Sequence, residues 1–549
     1  MTFHSSGSLL KGILMELINK TIGQCLHERA AAGGAHLSVE TEDWSCSYSR
    51  LDALSDLLAV RMGRLGIREG THVGIWSANS PHWVMTFLAL TKIGAVPVLI
   101  NTCYKKDELR RILEYSDVEL LFYGAGYKAS GYEEIISQIR AGMPGIRHFI
   151  PMDGEMFTEG TCTPGETGWL RKQEDRIGSE HPACMIFTSG TTSLPKGVVL
   201  THYNLVNNAK ALVAAMGWGP EDKMCVTVPM FHCFGITAGI VACILGGMSM
   251  YLVPYFKTAP VWSAIEEYRC TILNGVPSMF MAMIRKTGYK GRIGLGVRSG
   301  IIAGSPFTRE EYLEICGHFP EMHLQPSYGQ TETSPCVTIA DWDEPVEKKA
   351  VSVGKVIEHV QVRIADVETG DILGSDMDGE IQVKGYNVMS GYYKRPGANE
   401  KAFTGDGWLR TGDIGRFGED GELRVTGRLK EMIIRAGENI SPYEIEQVIR
   451  ELDWIDSVKV VGVPAQVLQE EIAACIVPKP GYRADKEALM AHLEPRLARY
   501  KQPAYILEFS ELPMNASGKV ELQVLKQTAA RRVAAEREQM TRANDGNRK

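Results

Sequence analysis

The stretch "TSGTTSLPKG", Thr188 to Gly197, places five hydroxyl side chains, two glycines, one proline and one lysine in ten residues. It can build neither a good helix nor a packed strand. Gly and Pro interrupt both, and Ser and Thr compete for backbone hydrogen bonds. Glycine lets backbone N–H groups turn toward a ligand, the hydroxyls add donors, and Lys196 adds a point charge. Together these describe a phosphate cradle. The Walker pattern puts lysine directly after glycine and before Ser or Thr. Here Lys196 follows Pro195 and precedes Gly197, so this is not a Walker loop. Alone, such a loop is more often a surface linker.

Its surroundings argue for the cradle. "ACMIFTSG" is a short buried strand running straight into the loop, which sets the loop at a strand's carboxyl end, where α/β proteins put their ligands. From about Leu51 to Phe280, strand-length apolar runs alternate with helix-like stretches. "HVGIWSA" reads as a strand, "PHWVMTFLALTKIGA" as a helix ending at glycine and "VPVLIN" as a strand. "KDELRRILEYSD" then reads as a helix before the strand "VELLFYG". Such alternation predicts parallel sheet with helices on its faces. After about Val351, "VQVRIADVETGDIL" and "GEIQVKG" alternate with period two, as antiparallel hairpins do. Beyond "DGELRVTGRLK", the strands "SVKVVGVP" and "EEIAACIVPK" and the helix "SPYEIEQVIREL" read as a separate small domain. "AARRVAAEREQMTRANDGNRK" reads as a solvated or frayed tail.

The chain has 549 residues, enough for two to four domains, and its 44% apolar and 23% charged residues are those of a soluble globular protein. A net charge of −7 gives no electrostatic reason to expect nucleic acid or an anionic membrane. The twelve cysteines are scattered singly, without CxxC or zinc spacing, which predicts reduced thiols in a cytoplasmic protein. No run of about 18 apolar residues lacks a charge, so no transmembrane anchor is expected. Leu9, Leu10, Ile13, Leu14, Leu17 and Ile18 fit one helical face, which predicts an amphipathic amino-terminal helix rather than a signal peptide.

"TSGTTSLPKGVVLTH" resembles the phosphate-binding signature of the acyl-adenylate-forming superfamily, which includes acyl-CoA synthetases, adenylation domains and luciferases. The resemblance continues in order along nearly the whole chain. "PMFHCFG" (Pro229 to Gly235) is similar to the segment near the carboxylate. "IIAGSP" (Ile301 to Pro306) and "YGQTETSP" (Tyr328 to Pro335) are similar to the adenine and metal segments. "GWLRTGDIG" (Gly407 to Gly415) resembles the ribose segment, "GRLKEMIIRAGENISPYEIE" (Gly427 to Glu446) the hinge, and "NASGKV" (Asn515 to Val520) the catalytic lysine loop. The resemblance implies a large amino-terminal α/β domain, residues 1–429, of parallel sheets with helices plus a small β-barrel-like part. It implies a small mobile α+β domain over residues 430–549.

The implied chemistry is activation of a carboxylate with ATP and Mg²⁺, then transfer to a thiol. By this resemblance Thr188, Ser189, Gly190, Thr191 and Thr192 hold the β- and γ-phosphates, with Lys196 nearby. Glu332 is the Mg²⁺ ligand, a role that suits a carboxylate joined by phosphate oxygens, and Thr331 touches the α-phosphate. Tyr328 and Gly329 lie on one side of adenine, with Gly304, Ser305 and Pro306 on the other. Asp413, in a tight "TGDIG" turn, accepts from the ribose hydroxyls, and Arg428 supports it. Lys519 bridges carboxylate and α-phosphate, and His232 joins Thr331, Glu332 and Lys519 as a catalytic residue. Lys430 is the hinge, while Ala436, Gly437 and Glu438 face CoA. Departures are modest: Ser193 stands where glycine is usual, Glu431 where aspartate is common, and Ala436 where glycine is common.

Amino-acid adenylators carry an aspartate near the segment here reading "FHCFG", and this chain has none. An unpaired buried ammonium is very costly, so an α-amino acid is disfavoured. "FGITAGIVACILGG" reads as a pocket-lining helix, and Phe234, Gly235, Val276, Ile302 and Ala303 as an apolar acyl slot most like the medium-chain acyl-CoA synthetase branch. Only 30 residues follow Lys519, too few for a carrier domain, which favours CoA as acceptor. Two alternatives stay open: an adenylating enzyme that loads a separate carrier protein, and a non-catalytic nucleotide-binding protein on the same fold. Intact Lys519, Glu332 and Asp413 argue against the second. A homodimer is also left open.

Overall fold

Continuous apolar runs bounded by turn residues fold here as strands buried on both faces. The computed structural model describes residues 15–128, 130–188, 195–286, 288–289, 291–435, 438–465, 469–515 and 519–546. The chain divides into two compact units, Met1–Val362 with Val383–Arg410, and Arg363–Gln382 with Thr411–Lys549.

In the first unit His72–Trp76 runs parallel to Val96–Leu99 and to Leu120–Tyr123, and His148–Pro151 and Pro182–Thr188 extend the sheet in parallel. Val96–Leu99 and Leu120–Tyr123 are buried throughout, as their unbroken apolar sequence requires. The intervening helix Pro81–Lys92 starts where Ser80 Oγ accepts the Trp83 N–H at 3.1 Å and Pro81 fixes the first turn. It stops before Gly94, whose φ is +68°. After Thr188 the sheet departs from the all-parallel expectation. Lys196–Thr201 returns antiparallel to Pro182–Thr188, and Gly391–Tyr392 pairs antiparallel with Lys196–Thr201. The two ends of the hydroxyl-rich loop therefore stand side by side, with Thr188 opposite Lys196.

A second sheet of nine strands holds Lys223–Val226, Ser249–Leu252, Ile272–Leu273, Ser299–Ile302 and His323–Gly329 in parallel register, with Cys336–Ile339 antiparallel at one side. Trp262, Phe280, Tyr312 and Phe319 fill the core beneath it. Val360–Ala365, Gly379–Gly385, Leu409–Phe417 and Leu423–Arg428 form a sheet of four strands in that order. In the second unit Ile455–Ala465 pairs antiparallel with Gln469–Pro478, and Tyr505–Glu508 joins the latter in parallel. Ile445 and Ile449 of the helix Pro442–Arg450 pack on Val458, Val460 and Ile476. All twelve cysteines are free. Among the described residues no helix is long and apolar enough to cross a membrane.

Both termini depart from expectation. Leu9 to Leu14 lie outside the described residues, and residues 15–20 are not helical. Asn207 captures that stretch, accepting the Ile18 N–H at 2.7 Å and donating to Ile18 O at 3.0 Å. Among the described residues the first helix begins at Ile22, where Thr21 and Gln24 form a reciprocal capping box. The expected frayed tail is largely a helix, Leu522–Gly546, with Leu525, Ala529 and Val533 fully buried against Val461, Val463 and Leu507. Three apolar residues at i, i+4 and i+8 suffice for one buried stripe.

His202 opens the helix His202–Met216, fully buried, with Nδ1 accepting the Ile22 N–H at 3.2 Å. Burial pushes its pKa down to about 3, with His181 acting in the same direction. The folded protein therefore keeps this ring neutral, while the unfolded chain protonates near the ordinary value of about 6.5. Stability tied to His202 is intact above that value and is lost as pH falls from there toward 3, by up to about 1.4 kcal/mol per pH unit. His202→Asn keeps an acceptor at the Nδ1 position and cannot protonate. Chemical denaturation from pH 7 to pH 4 should show a smaller acid loss in this variant than in the parent; identical slopes would remove His202 from the acid response.

Candidate active site

The hairpin that closes the hydroxyl-rich loop also places its lysine. Lys196 Nζ stands 4.2 Å from the centroid of the Tyr392 ring. The Tyr392 hydroxyl donates to Glu332 Oε1 at 2.9 Å. Tyr392 and Glu332 are only 9% and 8% exposed, so this hydrogen bond is shielded from water. Burial, followed by the Glu332 charge, pushes the phenol well above its ordinary pKa, and it stays a donor.

Glu332 is carried on the turn Thr331–Thr333. The Gln330 N–H donates to Thr333 Oγ1 at 3.0 Å, that hydroxyl donates to Pro335 O at 2.8 Å, and the Met389 N–H donates to Glu332 O at 2.9 Å. Gly329, just before, has no substitute: a Cβ there would sit 1.7 Å from Pro335 O. Thr331 Oγ1 accepts from Cys233 Sγ at 3.7 Å, which brings the "PMFHCFG" segment against the "YGQTETSP" turn. The His232 ring lies beside Phe231, 4.4 Å between centroids. No cluster of three metal-ligating side chains exists among the described residues. Glu332 supplies one hard oxygen donor, and an ion completed by phosphate oxygens and water needs little more, as Mg²⁺ commonly is.

Ser299–Ile302 and His323–Gly329 are neighbouring parallel strands with Ile302 opposite Pro326. Gly304, Ser305 and Pro306 thus leave the sheet at the same edge as Tyr328 and Gly329. Gly304 has φ +88°, a left-handed conformation that favours glycine. Tyr328 is half-buried at the strand end.

Phe234 and Gly235 open a helix whose middle, Ile236–Val241, is a π-helix before α geometry resumes at Ala242–Gly246. A Cβ on Gly235 would meet Pro229 O at 2.3 Å. Asn274 Nδ2 donates to Ala238 O in the π-helix at 3.2 Å, and its Oδ1 accepts the Ile301 N–H at 2.9 Å. Gly275 bridges to Ile302, and its carbonyl accepts the Ala303 N–H at 3.3 Å. Val276, Ile302 and Ala303 are thereby gathered beside the π-helix, with Val276 and Ile302 buried. The expected helix is present; its π-turn was not foreseen.

In the second unit, Asp413 lies in the strand Leu409–Phe417 rather than in a tight turn. Gly412, φ +71°, supplies the local kink that suggested a turn. Asp413 is 4% exposed, sits opposite Arg428, and accepts from Arg428 Nε at 2.5 Å. Lys430 is exposed in the short 3₁₀ turn Leu429–Glu431. Glu438 pairs with Arg435 across a hairpin. Lys519 is exposed, with its N–H on Asn515 Oδ1 at 2.9 Å and its carbonyl accepting the Asn515 N–H at 2.7 Å. Ser189, Gly190, Thr191, Thr192, Ser193, Ala436 and Gly437 lie outside the described residues.

The "AMP-binding enzyme" family model matches residues 26–393, and the "AMP-binding enzyme C-terminal domain" model matches residues 444–519. The chain belongs to the AMP-binding enzyme family. Within that family, YngI of Bacillus subtilis (strain 168) is 35% identical over 94% of this chain and 98% of its own length. The mitochondrial medium-chain acyl-CoA ligase ACSF2 of Homo sapiens is 32% identical over 94% of this chain and 88% of its own. ATP-bound MatB from Rhodopseudomonas palustris superposes with a TM-score of 0.82, at 26% identity, over 93% of this chain and 99% of that one. This AMP-binding enzyme is an acyl-CoA synthetase, an AMP-forming acid–thiol ligase that uses ATP, Mg²⁺ and CoA.

Tyr392 escaped the sequence reading. The signal was the aromatic pair in "GYYK" beside a glycine, but its partners Glu332 and Lys196 lie far away along the chain. Tyr392→Phe removes only the hydroxyl. Hydrogen bonds to charged groups contribute about 1.5–3 kcal/mol. ATP–pyrophosphate exchange should therefore fall roughly 10- to 10²-fold, with far-UV circular dichroism unchanged. Parent-like exchange would show that Glu332 does not depend on this donor.

Proposed function

We propose that this ligase activates a medium-chain or otherwise apolar carboxylic acid and transfers it to CoA in two steps, each served by one face of a small domain that begins at Lys430. What supports the acid class is the absence of a carboxylate from "PMFHCFG" to hold an ammonium, followed by a π-helix of small and aliphatic residues; Phe234, Gly235, Val276, Ile302 and Ala303 are then the acyl wall.

In the first step a carboxylate oxygen attacks the α-phosphorus of ATP. The bond to the bridging oxygen breaks, and pyrophosphate leaves. Thr188, Ser189, Gly190, Thr191, Thr192 and Lys196 hold the departing phosphates. Glu332, oriented by Tyr392, would hold Mg²⁺, which would supply positive charge against the phosphates. Thr331 donates to the α-phosphate, and His232 lies on the carboxylate side. Tyr328, Gly329, Gly304, Ser305 and Pro306 bracket adenine. Asp413 accepts from the ribose hydroxyls with Arg428 beside it. Lys519 balances the charge that two anions bring together. In the second step the small domain turns about Lys430, and Ala436, Gly437 and Glu438 line the path of the CoA thiol. The thiolate attacks the acyl carbon and AMP departs. A hinge of a few residues is enough for such a turn.

Two variants test the reading. Lys519→Ala should lower acyl-adenylate formation by about 2.7–4 kcal/mol of barrier, roughly 10²–10³-fold. It should leave thioester formation from supplied acyl-adenylate near the parent rate. Gly437→Leu should do the opposite. Equal depression of both half-reactions in both variants would rule out the turning domain. A panel of acids followed by pyrophosphate release reads the acid class; preference for charged or amino acids over aliphatic ones would overturn it.

A further inference from the structure

Gln325 is fully buried in the strand His323–Gly329, and neither its amide oxygen nor its amide nitrogen has a hydrogen-bond partner among the described residues. Burying an amide unpaired on both sides is costly, and such a group calls for a partner that the folded chain does not itself supply. None of the roles above uses it.

Register fixes which way the side chain points. Gln325 pairs in parallel with Ile301, and the bridge between Gly275 and Ile302 sets Asn274 beside Ile301. Side chains alternate between the faces of a sheet, so residues in register share a face. Asn274, Ile301 and Gln325 thus form one row across the sheet. Asn274 identifies the face, because its Nδ2 donates to Ala238 O of the π-helix at 3.2 Å. The alternate residues Leu273 and Leu324 pack on the opposite side, in the core with Trp262 and Phe319. Val276 and Ala303 of the acyl wall stand two residues beyond Asn274 and Ile301 along the chain. At about 3.3 Å per residue, the Gln325 row lies roughly 7 Å further from the strand ends than that wall.

The other polar groups on this face are taken. Asn274 Oδ1 accepts the Ile301 N–H at 2.9 Å, Ser299 Oγ accepts from Trp218 Nε1 at 2.8 Å, and Ser327 Oγ donates to Thr338 O at 2.8 Å. A buried water needs about two to four polar partners, and the row offers it little besides Gln325. Met224 continues the row, its Sδ 3.7 Å from Asn274 Nδ2, so these neighbours carry no charge.

We propose that Gln325 is a specificity-determining residue of the acyl site, and that the acid it selects is aliphatic along its length with a hydroxyl at its far end. A hydroxyl carries a donor and acceptor lone pairs, so it meets both the amide oxygen and the amide nitrogen. A second carboxylate or an ammonium would arrive unpaired beside uncharged neighbours, which is costly. An unsubstituted chain leaves the amide unsatisfied, and a site built to hydrogen-bond a substrate hydroxyl penalises the analogue that lacks it. The proposal rests on the acyl wall assigned above.

The full chain is assayed by pyrophosphate release with hexanoate, octanoate and decanoate, with the ω-hydroxy acid of each length, and with the matching dicarboxylates. In the parent, kcat/KM for the best ω-hydroxy acid should exceed that for the unsubstituted acid of the same length roughly 10- to 10²-fold, with the dicarboxylates poorest. Gln325→Met keeps the volume and removes both hydrogen-bonding atoms. It should bring that ratio to one or below, with the KM for ATP within twofold of the parent. The ratio is taken within each protein, so a loss of folded enzyme cancels from it, and the parent ratio stands by itself if the variant does not fold. A parent ratio near one, or an unchanged ratio in Gln325→Met, would overturn the proposal and leave the amide to a buried water. A parent that releases pyrophosphate only with amino or charged acids would overturn the acyl wall and this proposal together. A parent that accepts the aliphatic acids without preferring their hydroxy forms would overturn this proposal alone.

Discussion

Tyr392 stands between a cation and a carboxylate, and much of the first unit's site is arranged around that contact. Its ring takes one face of Lys196 and its hydroxyl takes one oxygen of Glu332. Neither contact is left to side-chain freedom. Tyr392 pairs in register with Val198, two residues beyond Lys196, and its N–H donates to Asn399 Oδ1 at 2.7 Å. The backbone ladder thus sets the ring, and the ring sets how far the lysine stands from the acid. The phenol takes one lone pair of the Glu332 carboxylate, which has others to offer.

The segments that carry site residues are irregular yet buried, and buried irregular backbone needs partners from somewhere. Asparagines supply many of them. Asn208 accepts the Cys336 N–H at 3.1 Å and donates to Cys336 O at 2.8 Å, and Asn387 donates to the same carbonyl at 2.9 Å. Asn204 caps its own helix and donates to Tyr386 O at 2.6 Å. Asn79 and Asn274 do the same for the exits of the nine-stranded sheet. An asparagine offers two donors and an acceptor on a short stem, so one residue can bind two strands of loop without placing a charge in the core.

The parallel strands were legible because a strand buried on both faces must be apolar at every position, as "VPVL" and "LLFY" are. The helix Pro81–Lys92 was legible through its apolar run and the glycine, Gly94, that ends it. The hairpin after Thr188 was not, since nothing in "KGVVLT" distinguishes an antiparallel return from another parallel strand. Leu17 and Ile18 fitted a helical stripe, but the partner that captured them, Asn207, is remote in sequence. The tail misled for the opposite reason: Leu525, Ala529 and Val533 are a thin stripe in a charged run, and their burial depends on a sheet that already exists. Glycine and hydroxyl motifs announced the other candidate site residues from the sequence alone. Tyr392 belongs to no such motif and becomes visible only where separate segments converge.

The π-helix at Ile236–Val241 holds one residue more than α geometry would place in the same rise. Successive residues of an α-helix are separated by about 100° around its axis. Loss of one residue in this span returns the helix to α geometry and turns Phe234 by that angle relative to everything after Ala242. The sheets, the Tyr392 contact and the nucleotide segments need not move. A single-codon deletion therefore re-aims one large aromatic side chain while leaving both sheets and their hydrogen-bonded exits as they are.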